Sequence, residues 1–101
     1  MDSGAVTCER QDDKLTFRII GSFNYAIGSE LKKLANRQSK ASEYIIDLRA
    51  VTYINSSAFG VMLILREMFG ADEDNLSLVN ASPEIKKMLN VVKFETIFKV
   101  V

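Results

Sequence analysis

Tyr44-Ile45-Ile46-Asp47-Leu48 is a compact and nearly continuous apolar run. It is too short for a buried helix and too unbroken for a strand with one wet face. That character suggests a strand covered on both faces, as in a parallel sheet. A chain built around such a strand needs helices to cover it, so the rest of the sequence is read for alternating strands and helices.

The flanking segments fit that frame. Val6 to Glu9 alternates weakly and reads as an edge strand, and Gln11-Asp12-Asp13 is a polar turn. Leu15, Phe17 and Ile19 alternate with Lys14, Thr16 and Arg18, a half-buried strand paired with the first as an antiparallel hairpin. Gly21-Ser22-Phe23-Asn24 ends it. Ile27, Leu31, Leu34 and Ala35 then recur at helical spacing, which predicts an amphipathic helix from about Ala26 to Gln38.

Beyond the apolar run, Arg49 to Ile54 reads as a loop, after which Ser56 or Asn55 caps a helix reaching about Phe69. Gly70 to Asn75 reads as a turn and Leu76 to Val79 as a strand. Ser82-Pro83-Glu84 is a helix start, with serine as cap and proline in the first turn. Ile85, Met88, Leu89 and Val92 give that helix one apolar face, and Thr96 to Val100 is read as a final short strand. The order is β-β-α-β-α-β-α-(β). It implies an α/β domain over residues 1–101, with a mixed sheet of four to five strands and right-handed crossovers.

Composition narrows the function. The chain of 101 residues holds 13 basic and 13 acidic side chains and no histidine. Zero net charge with scattered basic residues argues against nucleic acid, whose binding rests on phosphate neutralisation. Without histidine the usual general base and the commonest metal ligand are missing, which disfavours triads, Cys-His pairs and ordinary zinc sites. No Gly-x-x-x-x-Gly-Lys-Ser/Thr pattern is present to hold a nucleotide. The expectation is therefore no catalytic residue, cofactor or metal, and a small enzyme is the weakest of three readings. Cys8, the one cysteine, falls in an alternating apolar pattern and reads as a small hydrophobe in a reducing compartment. Met1-Asp2-Ser3-Gly4 lacks the basic start and apolar core of a signal peptide, and the longest apolar run, Val61 to Leu65, cannot span a bilayer. A cytoplasmic protein without membrane insertion is expected.

The informative stretch runs from Asp47 to Gly60, where a buried strand leads through a short loop to two serines at a helix start. A serine there is ordinarily a cap. The same place suits a phosphate, because a helix N-terminus offers free N–H donors and positive partial charge. Phosphorylation there would change charge without a refold. The following helix is apolar almost all round. Val61, Ile64, Leu65 and Met68 form one face, while Phe59, Met62, Leu63 and Phe69 fall elsewhere. Phe59, Met62 and Phe69 either lie under neighbouring helices or form exposed partner surface, and exposure of at least one is the expectation.

Asn55-Ser56-Ser57-Ala58-Phe59-Gly60 resembles the Asp-Ser-Ser-Gly-Leu-Gly signature of STAS-domain anti-sigma factor antagonists. Gly21-Ser22-Phe23-Asn24 stands where that family has a Gly-x-Leu-Asp turn, and Asp47-Leu48 closes the central strand. The resemblance covers essentially the whole chain. It departs at Asn55 and Asn24, which replace acidic residues, and at Ala58 and Phe59. What it implies is a phospho-regulated binding module rather than an enzyme. Ser56 would be the phosphorylated residue, with Asn24, Asn55, Ser57, Phe59, Met62 and Phe69 around the partner site. The implied partners are an anti-sigma factor with serine kinase activity and a PP2C-type phosphatase that resets the switch. The alternative within the same family is a non-switching adaptor subunit of a membrane transporter or signalling assembly.

Overall fold

The structure is a computed structural model that describes residues 4–71 and 74–101. Most of the Met1–Gly4 start, and residues 72 and 73 of the turn expected over Gly70–Asn75, lie outside the described residues. The elements are β1 (Ala5–Gln11), β2 (Lys14–Phe23), α1 (Tyr25–Asn36), β3 (Glu43–Ile54), α2 (Ser56–Met68), β4 (Leu76–Val79), α3 (Pro83–Val91) and β5 (Lys99–Val100). A single 3₁₀ turn, Phe94–Thr96, precedes β5. Among the described residues the strands form one five-stranded sheet in the order β1-β2-β3-β4-β5. β1 and β2 are antiparallel, and every other pair is parallel. The expected mixed sheet with helices between its parallel strands is what forms.

Among the described residues the helices pack on one face of the sheet. Leu15, Phe17 and Ile19 of β2 lie beside Tyr44, Ile46 and Leu48 of β3 and Leu76 and Leu78 of β4, all buried. Ile27, Leu31 and Ala35 of α1, Ala58, Val61, Met62 and Leu65 of α2, and Ile85 and Leu89 of α3 join them in one core. On the other face Ile45 and Asp47 are half-buried and Ile20 is exposed. The two-sided cover expected for β3 is thus not found. The open side of the sheet instead carries polar contacts: Arg18 to Glu9 at 3.8 Å, Arg18 to Asp47 at 3.5 Å, and Asn80 Nδ2 donating to Asp47 Oδ1 at 3.1 Å. Exposed pairs of this kind contribute about 0–1 kcal/mol each.

β3 also runs on where a loop was expected over Arg49–Ile54. The register explains why. Arg18 pairs with Asp47 but Ile20 with Ala50, and Gly21 pairs with Val51 but Ser22 with Tyr53, so β3 carries an extra residue at each shift. Bulges of this kind bend a strand and change which side chains face in. Burial in β3 therefore passes from every second residue (Tyr44, Ile46, Leu48) to every third (Val51, Ile54). Opposite the second bulge sits Gly21, whose φ of 81° lies in the left-handed region that a side chain disfavours.

Helix packing accounts for two further departures. α3 buries only Ile85 and Leu89, leaving Met88 and Val92 of the expected apolar face exposed. The last strand shrinks to Lys99–Val100 because Phe94 turns into the core before it. α1 and α2 approach closely at Gly28, where an added Cβ would lie 2.7 Å from Val61 Cγ2. Among the described residues no helix is long and apolar enough to cross a membrane.

Candidate phosphoacceptor site

β2 and β3 end side by side, with Phe23 paired to Ile54. Each is followed at once by an asparagine and a helix, so two helix N-termini emerge from one end of the sheet. Asn24 caps α1 by accepting from the Ile27 N–H at 3.1 Å. Asn55 caps α2 by accepting from the Ser57 N–H at 3.1 Å and from the Ser57 hydroxyl at 2.5 Å. The Asn55 N–H donates to the Phe23 carbonyl at 3.2 Å, tying the second cap to the neighbouring strand. The half-buried asparagines satisfy donors that would otherwise be orphaned in the first helical turns.

This division of labour leaves Ser56 unencumbered. It is the first residue of α2, is exposed, and its hydroxyl has no hydrogen-bond partner among the described residues. Ser57 is half-buried, and its hydroxyl is engaged by Asn55. The cap is therefore Asn55, and neither serine is spent on it. The first turns of α1 and α2 contain no acidic residue. Together with two neutral caps, that leaves the positive ends of the helix dipoles unopposed by any carboxylate in these first turns.

The residues expected to meet a partner do not all come together. Asn24, Asn55, Ser56 and Ser57 share this end of the sheet. Phe59 is half-buried, its ring edge-on to Phe94 with centroids 5.4 Å apart. Met62 is 0% exposed and Phe69 only 7%, which corrects their placement on the partner surface. Met62 belongs to the stripe Ala58, Val61, Met62 and Leu65 that α2 turns inward. Phe69 stacks on Tyr44 with centroids 4.2 Å apart. The exposed apolar residues of α2 are instead Leu63 and Ile64.

Two exposed aromatics at this end of the sheet were not among the expected site residues. Tyr25 follows Asn24 and is 76% exposed, and Tyr53, two residues before Asn55, is 58% exposed. The available signal was adjacency: each lies within two residues of a capping asparagine. Tyr53 fell in a segment read as a loop, where burial phase could not be assigned.

A family model described as the STAS domain matches residues 5–101. A STAS-domain containing protein of Pseudomonas aeruginosa is 36% identical over 88 residues, covering 86% of this chain and 87% of that protein. Among solved structures, an anti-sigma factor antagonist from Mycobacterium paratuberculosis superposes with a TM-score of 0.85 at 18% identity, over 98% of this chain and 86% of that one. The phosphorylated form of the Bacillus cell fate determinant SpoIIAA gives a TM-score of 0.72 at 14% identity, over 96% and 91% of the two chains. The unphosphorylated form of SpoIIAA gives 0.65 at 18% identity, over 85% and 82%. At these identities the solved structures show a common fold.

Proposed function

The chain belongs to the STAS domain family, and from that premise we propose that it is an anti-sigma factor antagonist switched by phosphorylation of Ser56. With Ser56 unmodified, the end of the sheet bearing Asn24, Asn55 and Ser57 binds an anti-sigma factor, and the sigma factor is released. That anti-sigma factor is also the serine kinase. It transfers the γ-phosphoryl group of ATP to the Ser56 hydroxyl, with loss of the hydroxyl proton and release of ADP. A PP2C-type phosphatase hydrolyses the phosphate and resets the protein. The chain serves as substrate and binding module, and the exchange takes place in the cytoplasm, where ATP is at hand.

The observation that carries this reading is the freedom of the Ser56 hydroxyl at a helix N-terminus already capped by Asn55. A phosphate adds roughly −1.5 to −2 charges at pH 7. At the first position of α2 it would sit in a favourable dipole field and replace no structural hydrogen bond. The fold can then stay put while the surface changes sign. That the solved relative SpoIIAA has been described in both phosphorylated and unphosphorylated forms supports the premise that such a fold tolerates the group. Asn55 in place of an acidic residue removes a carboxylate that would repel the incoming phosphate.

The test is phosphopeptide mapping after incubation with ATP and the anti-sigma factor kinase of the same cell. Phosphate on Ser56 is expected, with none incorporated by Ser56→Ala. Label on Ser57 alone, or undiminished label in Ser56→Ala, would overturn the assignment.

A further inference from the structure

The outer side of α2 and α3 carries apolar surface that the core does not use. Phe59, Met88, Val91 and Val92 line a groove between the start of α2 and α3, and Lys87 is its one charged lining residue. Val91 is 75% exposed, and Met88 and Val92 are exposed as well. Lys87 makes no ion pair among the described residues. Gly60 lies beside Phe59. An added Cβ there would meet nothing within 4 Å, so no internal packing explains a residue that weakens its helix. Gly60 stands four residues after Ser56 and Phe59 three, so all three share one side of α2. Bare backbone at Gly60 lets another chain approach beside Ser56.

We propose that this groove docks a segment of the partner protein that presents an apolar side chain flanked by carboxylates, and that phosphate on Ser56 expels it. The inference rests on the reading of Ser56 as phosphoacceptor and names the chemistry of what that site binds. The lining selects an apolar side chain, because covering Met88, Val91 and Val92 removes apolar area from water. Lys87 selects the carboxylates: it makes no ion pair among the described residues, and no acidic residue lines the groove. Residues three apart on a helix lie about 5–6 Å apart. A phosphate on Ser56 therefore falls within the screening length of about 8 Å at physiological salt from an acidic segment seated against Phe59. Like charges then face each other across the docked surface, and the partner leaves.

The experiment measures the affinity of the anti-sigma factor that phosphorylates Ser56 for wild type, Val91→Glu, Lys87→Glu and, as a control on α1, Lys32→Glu. Val91→Glu and Lys87→Glu are expected to weaken binding by about tenfold or more, the loss typical of a central contact. Lys32→Glu should bind as wild type, and Lys87→Glu should also flatten the salt dependence. Thermal midpoints check that each variant folds, and Val91→Ser replaces Val91→Glu if the latter falls. Unchanged affinity in both groove variants, with wild type still bound and phosphorylated, overturns the docking site and leaves the switch standing. A wild type that neither binds nor accepts phosphate overturns both. A wild-type dimer in sedimentation that Val91→Glu converts to monomer would show that a second copy of this chain fills the groove, which also overturns the proposal.

Discussion

Ser56 and Asn55 stand next to each other and are expected to respond unequally to alanine. Asn55 holds the Ser57 N–H and hydroxyl, so Asn55→Ala should cost about 1 kcal/mol. The Ser56 hydroxyl has no partner among the described residues, so Ser56→Ala should change stability by less than about 0.5 kcal/mol. Urea denaturation of the two variants checks this, and a larger loss at Ser56 would mean that its hydroxyl is structural after all. Cys8 offers a second test at this scale. Burial pushes its thiol above the ordinary range, opposed by the nearby Arg10 guanidinium, so at neutral pH it stays protonated. The thiolate is the reactive form. Alkylation of the native protein by iodoacetamide at pH 8 should therefore be slower than that of free cysteine, and equal rates would contradict it. Much of this scale was legible from the chain alone. Ser56 and Asn55 stand in a recognisable hexapeptide and Asn24 in the turn before α1, and a small hydrophobe at Cys8 followed from its alternating neighbours. What was not legible was which of Asn55 and Ser56 would cap, because both side chains can accept the same backbone bond.

The helices contain two glycines whose replacement should have opposite signs. At Gly28 a methyl would press on Val61, whose β-branched side chain has little room to turn. Gly28→Ala is expected to destabilise by about 1–3 kcal/mol. At Gly60 the space is open, and Gly60→Ala should stabilise α2 by about 0.5–1 kcal/mol. Thermal melts of both variants are the check, and a stabilising Gly28→Ala would contradict the close helix approach. The same element shows where a sequence pattern misleads. α2 is apolar on nearly all sides, so its inward stripe could not be chosen from hydrophobicity, and Met62 and Phe69 were assigned outward. The stripe Ala58, Val61, Met62, Leu65 becomes visible only once the sheet is in place. β3 failed for a related reason. Its two extra residues against β2 break the period of two, and a strand whose burial repeats every third residue carries no strand signature. β2, without the extra residues, kept its alternation and was read correctly at Leu15, Phe17 and Ile19.

Across the whole molecule, one face of the sheet is spent on the core, and one end of it carries the candidate site. The parallel pair β2 and β3 delivers both helix N-termini to that end, and the single-sided layering leaves α2 and α3 facing outward where a partner can reach them. Element order was legible because short strands and amphipathic helices alternate along the chain. The one-sided cover was not, since Ile45 is apolar yet half-exposed on the open face. A phospho-switch at Ser56 must alter the surface and leave this framework intact. The direct measurement is the affinity of the anti-sigma factor for the unmodified protein and for the protein phosphorylated on Ser56, by calorimetry, with circular dichroism recorded on both. Affinity about tenfold or more weaker for the phosphoprotein, with unchanged spectra, is the predicted result. Equal affinities, or a phosphoprotein that binds weakly only because it has lost its fold, would contradict it.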